Sequence, residues 1–297
     1  MIDRLAPALF VFLWSTGWIV AKYASLHGDP LTFLAARHGF SILVFLGLCL
    51  ITRASWPTNR TAVLRAIFSG MFLHGFYLAG LWWAIGQGVP AGISGIIAAL
   101  QPLLTAMAAP FLIGERLRPI QRAGMGLGFA GILLAISPKL MELDGQNLML
   151  VGLPLLVNLI AMASVTYGTL YQKQHLQHGD LRSIVLLQYV GALLVTLPMA
   201  LLLEDLRFDW SVTAIASMVW AVLGLSMGAV SLLFYLIRRG QVSKAASLIY
   251  LVPPAVAIEA FLVFGEPLTL PMILGTMIVV AGVYLVNRKP VADAALS

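Results

Sequence analysis

An ionisable side chain inside hydrocarbon costs roughly 2.5 to 3.5 kcal/mol on insertion scales, so each one that falls within an apolar block needs a chemical reason. His74 and Glu259 are such residues. An imidazole at position 74 can titrate near physiological pH or touch a solute, or it can bond a neighbouring helix as a neutral group. The Glu259 carboxylate can carry a proton or meet a cationic amine, and it can equally be held in an ion pair with Lys22 or Arg37. Around these two, aromatic and amide side chains recur at helical spacing: Trp14, Ser15 and Trp18; Tyr77 and Leu78 following His74; Gln101; Asn158, Met162 and Tyr167; Ser231; and Tyr250. Together they suit a pocket for a small solute with an apolar group and one polar end. The competing account is that tryptophan and tyrosine anchor membrane interfaces and small polar groups join helices. Pro102 and Pro253 each lack an N–H and are possible hinge points. No His-Glu-x-x-His, paired intramembrane aspartates or serine elbow is present. The expectation is therefore no catalytic residue, no metal site and no cofactor.

The elements that must position these residues follow from composition. Of 297 residues 60% are hydrophobic and only 10% charged, and the mean hydropathy is +0.95, far from a soluble domain, where about a quarter of residues are charged. The apolar residues come in blocks of roughly 20, the length of a helix across a ~30 Å bilayer core. The spans fall near 5–25, 31–52, 64–85, 90–112, 119–137, 149–171, 183–203, 213–236, 244–264 and 271–287. The first reads as a retained helix without a cleaved signal peptide. A lone Cys49 supports no disulfide framework. The net charge of +6 comes from short loops, where orientation explains it, so no nucleic-acid partner is expected.

Counted alternately along the loops, 14 of the 18 Lys and Arg fall on one side and only Lys22, Arg37, Lys139 and Arg207 on the other. This places both termini in the cytoplasm. A constant offset of 151 residues aligns His27-Gly28-Asp29 with His178-Gly179-Asp180, Pro102 with Pro253, Gly114-Glu115 with Gly265-Glu266, and Gly124 and Gly131 with Gly275 and Gly282. The chain reads as two five-helix repeats, residues 1–145 and 146–297. An odd number of helices per repeat inverts the second repeat. Inverted repeats about an axis in the membrane plane are an architecture of alternating-access transport. Glu115 and Glu266 are explained by turn and helix-dipole geometry.

The segments Leu13-Trp-Ser-Thr-Gly-Trp18, Asp29-Pro-Leu-Thr-Phe-Leu-Ala-Ala-Arg37, Leu100-Gln-Pro-Leu-Leu-Thr105, Gly114-Glu-Arg-Leu117, Ala246-Ser-Leu-Ile-Tyr-Leu-Val-Pro-Pro254 and Gly265-Glu-Pro-Leu268 resemble the EamA-type branch of the drug/metabolite transporter superfamily, across essentially the whole chain. The resemblance implies an all-α, polytopic fold of ten transmembrane helices, a central substrate cavity and export of small metabolites. The bacterial aromatic amino-acid exporters are the most similar sub-branch. The expected partners are a small-molecule substrate and the lipid bilayer, in the inner (cytoplasmic) membrane, with a monomer sufficient. Rival expectations are a multidrug or organic-cation carrier using Glu259, then a nucleotide-sugar carrier, disfavoured because the basic residues read as lying at helix ends. An intramembrane enzyme or a scaffold comes last.

Overall fold

The computed structural model describes residues 2–113, 118–141, 148–177, 179–209, 211–229, 232 and 251–287. Among the described residues the chain is helical, and a lone antiparallel bridge between Gly28 and Phe208 ties two loops together. The helices are α1 (Ile2–His27), α2 (Pro30–Ile51), α3 (Arg60–Gly86), α4 in two pieces (Ala91–Ile97 and Leu100–Ile113), α5 (Pro119–Met141), α6 (Met149–His175), α7 (Leu181–Leu203), α8 (Val212–Ala229), α9 (Val252–Phe264) and α10 (Leu270–Asn287). Those from α1 to α8 are long and apolar enough to cross a membrane, while α9 and α10 are shorter apolar helices. Large apolar side chains such as Leu43, Phe111, Leu202 and Leu262 stand on the outside of the bundle. In water such a surface would aggregate; in lipid it is the contact face.

Local chemistry sets the helix starts. Asn59 Oδ1 accepts from Ala62 N at 2.6 Å to cap α3, and Asp180 Oδ1 accepts from Arg182 N at 3.0 Å to cap α7. The arginine beside Asp180 holds its carboxyl well below the usual carboxylate range. Asp29 stands at the start of α2 but does not cap it. Its carboxylate accepts instead from Arg207 N at 2.7 Å, and the N–H groups of Leu31 and Thr32 donate to Glu204, at 2.8 and 2.7 Å. Half-burial pushes the Glu204 carboxyl up, with the bonds from Leu31 and Thr32 pulling it back. Gly265 ends α9 in the left-handed region, φ 66°, a conformation that favours glycine.

Two helix pairs pack with unusual intimacy. A Cβ added to Gly131 would lie 2.8 Å from Gly275 O, and one on Gly124 would lie 2.7 Å from Gly282 O, so α5 and α10 cross antiparallel with their backbones touching. Between α2 and α7, His38 Nδ1 lies 3.1 Å from Thr196 Oγ1, and the Phe45 and Tyr189 rings are 5.6 Å apart. Both crossings leave a dense central core that includes Trp82, Phe33, Leu34, Ile96, Leu103, Met162 and Val256.

The structure departs from the expected spans in three ways. Helices 119–137 and 149–171 run on to Met141 and His175. α3 and α8 contain π-helical stretches, Met71–Phe76 and Trp220–Ala229, which no hydropathy pattern signals. The span 90–112 is broken at Ala98 and Ala99. Pro102 has no N–H to give the Ala98 carbonyl, which accepts from Gln101 N at 3.1 Å instead, while Ala99 N turns back to Ile96 O at 3.0 Å. Pro253 occupies the first turn of α9. Both prolines thus sit in the opening turn of a described helical piece, a place where the missing N–H costs nothing.

Candidate functional site

The break in α4 and the start of α9 face each other across a cavity. Its walls are Trp14 and Trp18 of α1, Tyr77 of α3, Ala98, Ala99, Gln101 and Pro102 of α4, Val252 and Pro253 of α9, and Val279, Val280 and Val283 of α10. At ≈ 30 Å³ it holds no more than a water or so. Trp18 Nε1 donates to Ser94 Oγ at 3.2 Å, and Asn158 Nδ2 reaches the same hydroxyl at 2.8 Å, so α1, α4 and α6 share one buried polar point. Asn158 Oδ1 is buried without a partner. Gln101 Nε2 donates to Thr169 Oγ1 at 3.3 Å, which ties the cavity wall to α6.

Of the residues singled out from the sequence, Trp14, Trp18, Tyr77, Gln101, Pro102 and Pro253 meet at this cavity, and Asn158 is linked to its wall through Ser94, which also accepts from Trp18. Met162 is wholly buried in the core, and Leu78 packs against it. Ser15 is wholly buried, with its hydroxyl 2.6 Å from Glu259 Oε1. That contact replaces the ion pair considered for Glu259: among the described residues neither Lys22 nor Arg37 reaches it, because α1 presents Ser15 to α9 and Arg37 turns into the α2, α7 and α8 side of the bundle. Tyr167 is also corrected. It is 46% exposed and packs with Phe68 and Phe72 on the outer surface, away from the cavity. His74 stacks on Tyr189, 5.1 Å between centroids, and is not a wall of the cavity. Ser231, Tyr250 and Glu115 lie outside the described residues.

Three features went unread in the sequence. The valines of α10 carry no polar or aromatic signal, and only the fold shows that they complete the cavity. Glu204 lies just past the span 183–203 and is the N-terminal cap of α2. Arg37 read as a helix-end charge, yet it lies within α2 and is buried. Among the described residues no three metal-ligating side chains gather.

Comparison with known proteins agrees with this architecture. The model of the EamA-like transporter family matches twice, over residues 5–137 and 152–288. A probable amino-acid metabolite efflux pump of Escherichia coli is 27% identical over 95% of this chain and 94% of its own. An inner membrane transporter of the same organism is 25% identical over 96% and 92%. A crystal structure with 16% identity covers 95% of this chain and 96% of its own with a TM-score of 0.67, a likeness of fold.

Proposed function

Because the chain belongs to the EamA-like transporter family, and is thereby a multi-pass membrane transporter, we propose that it exports small metabolites across the cytoplasmic membrane by alternating access, with amino acids, aromatic ones included, as substrates. In this reading ten crossings form two inverted repeats, 1–145 and 146–297, with both termini cytoplasmic and one chain sufficient. The carrying observation is the cavity, whose walls come from the first half (Trp14, Trp18, Tyr77, Gln101) and the second (Val252, Pro253, Val279, Val283). Aromatic and valine walls suit an apolar side chain, and the Gln101 and Asn158 amides can replace water around a zwitterion.

The helix crossings support the inverted repeat. Under an exchange of residue i with i + 151, the contact of Gly124 with Gly282 becomes that of Gly275 with Gly131, and the pair His38–Thr196 becomes Tyr189–Phe45. All four contacts are present, the reciprocity that a two-fold axis produces. The cavity volume of ≈ 30 Å³ is too small for any amino acid, so loading requires the halves to part. On the face assigned to the outside the halves are clasped: Glu204 of the second half caps α2, and Glu266 accepts from Ala91 N and Gly92 N at 2.9 and 3.0 Å. The arrangement reads as a contracted state closed to the outside.

Purified protein in liposomes, tested with labelled phenylalanine, tryptophan, methionine and threonine, with and without a pH gradient, should show saturable uptake or exchange of at least one. Movement of organic cations or nucleotide sugars alone would replace the substrate assignment. The cation reading has one observation of its own, Glu259 Oε2, buried and without a partner, which an amine would fill.

A further inference from the structure

Arg37 is the eighth residue of α2 (Pro30–Ile51), about 10 Å along the helix from its first residue at 1.5 Å per residue. Its side chain is buried, at 7% exposure. Guanidinium does not lose its proton in proteins, so this is a fixed positive charge at membrane depth. Such a charge is normally paired with a carboxylate, and among the described residues no carboxylate pairs with it. Among the described residues its one side-chain hydrogen bond is Nη2 to Ser226 Oγ, at 3.3 Å, and its Nε is buried with no acceptor. Ser226 already accepts from Ser41 Oγ at 3.1 Å and donates to Ala221 O at 3.2 Å, so it is a crowded and neutral partner. The remaining compensation is the face of Trp82, 5.9 Å from the guanidinium carbon. Residues 230–250, which follow α8, contain no Asp or Glu.

Among the described residues, the elements packed around Arg37 add donors or neutral dipoles and no acid. α2 itself brings His38, whose Nε2 is also buried and unpartnered, and Ser41. α3 brings His74 and Tyr77, α7 brings Tyr189 and Thr196, and α8 brings Ser226. Tyr77 is at the same time a wall of the central cavity. α3 thus places Tyr77 on the cavity and Trp82 under the guanidinium, so a single helix joins the cation to the space through which a solute would pass.

We infer that Arg37 is the anchor of an anion site, with Nε and the Nη groups binding a small monovalent anion in the transport cycle, either the carboxylate end of the carried solute or a free inorganic anion such as chloride. The solute form rests on the transport reading above. A planar guanidinium binds a carboxylate through two parallel N–H···O bonds, and the aromatic walls beyond Tyr77 would then receive the apolar end. This also revises the argument against acidic cargo, which assumed that no basic side chain lies inward of the helix ends.

The test is binding to the full-length protein in detergent, followed by its thermal unfolding midpoint. Phenylalanine should raise the midpoint, whereas phenylalanine amide, which keeps ring and amine but lacks the carboxylate, should not. Alternatively, chloride should raise it where a bulky sulfonate salt at equal ionic strength does not. The first result identifies the solute carboxylate and the second an inorganic anion. In either case Arg37→Gln should weaken the response roughly tenfold or more, the worth of one charge-assisted contact. If Arg37→Gln does not fold, Arg37→Lys keeps the charge and loses the planar fork, and its affinity must fall. No response of the wild type in either series overturns the anion site, as does a response of equal affinity in the variant. Liposomes separate the readings: phenylalanine flux with an unchanged KM in Arg37→Gln sinks the solute-carboxylate form, chloride binding of unchanged affinity in that variant sinks the inorganic form, and anion binding by a protein that moves no solute sinks the transport reading alone.

Discussion

Gln101 occupies the turn that opens the second piece of α4, where its amide is held by Thr169 at 3.3 Å while its side chain helps wall the cavity. Replacing it with tryptophan adds more volume than a ≈ 30 Å³ cavity contains. We expect Gln101→Trp to abolish transport with folded protein still in the membrane. Tyr167→Trp, on the lipid-facing surface, should transport as the wild type does. Normal flux in Gln101→Trp liposomes would place the path elsewhere. Residue types were legible here because an amide, an imidazole or an indole is rare in an apolar run. Their facing was not, since the azimuth of each helix is fixed by its neighbours. Tyr167 and Gln101 have similar sequence credentials, and only packing separates them. The same limit explains Glu259, whose acidity was visible while its partner, Ser15, depended on how α1 and α9 rotate against each other.

At the scale of elements, the α5 and α10 crossing turns on glycine. A Cβ on Gly275 would lie 2.5 Å from Gly131 O, a backbone atom that cannot swing aside. Alanine gains about 0.8 to 1 kcal/mol of helix propensity over glycine, while forcing extra volume into a tight contact typically costs ~1–3 kcal/mol. Gly126, in the same helix as Gly131, has nothing within 4 Å of its Cβ position, so only the propensity gain applies there. Gly275→Ala should therefore lower the thermal midpoint in detergent, and Gly126→Ala should hold or raise it. Equal behaviour of the two would mean that the crossing is looser than the contact distances require. The repeat itself was legible because Gly, His, Asp and Pro at a fixed offset of 151, as in Gly124 and Gly275, stand out against an apolar background. The break in α4 was half legible: Pro102 marked a weak point, but hydropathy is blind to which carbonyl takes over its lost hydrogen bond. The π-helical stretches, Met71–Phe76 and Trp220–Ala229, lie at overlapping places in the two repeats, and nothing in residue type announces them.

At the scale of the whole molecule, loops sort into two groups by contact, independently of any charge count. In one group the bridge joins Gly28 to Phe208, Asp29 N donates to Arg207 O at 2.9 Å, Glu204 caps α2, and Glu266 caps α4. In the other, Ser55 N donates to Asp180 Oδ2 at 3.1 Å and Ser183 Oγ to Ser55 O at 2.8 Å. Loops that touch must share a side of the membrane, and these groups coincide with the Lys and Arg asymmetry, which assigns the first to the outside and the second to the cytoplasm. Two described, exposed positions carry the test, Thr58 between α2 and α3 and Asp205 between α7 and α8. With the buried Cys49 replaced by serine, a cysteine at Asp205 should react with a membrane-impermeant maleimide in intact cells. A cysteine at Thr58 should react only after permeabilisation. Inverse labelling of the two would reverse the orientation and leave the loop groups intact. Labelling of both from outside would break the grouping itself, and with it the odd number of crossings that the inverted repeat requires: five helices, α3 to α7, lie between those positions, and only an odd number puts them on opposite faces.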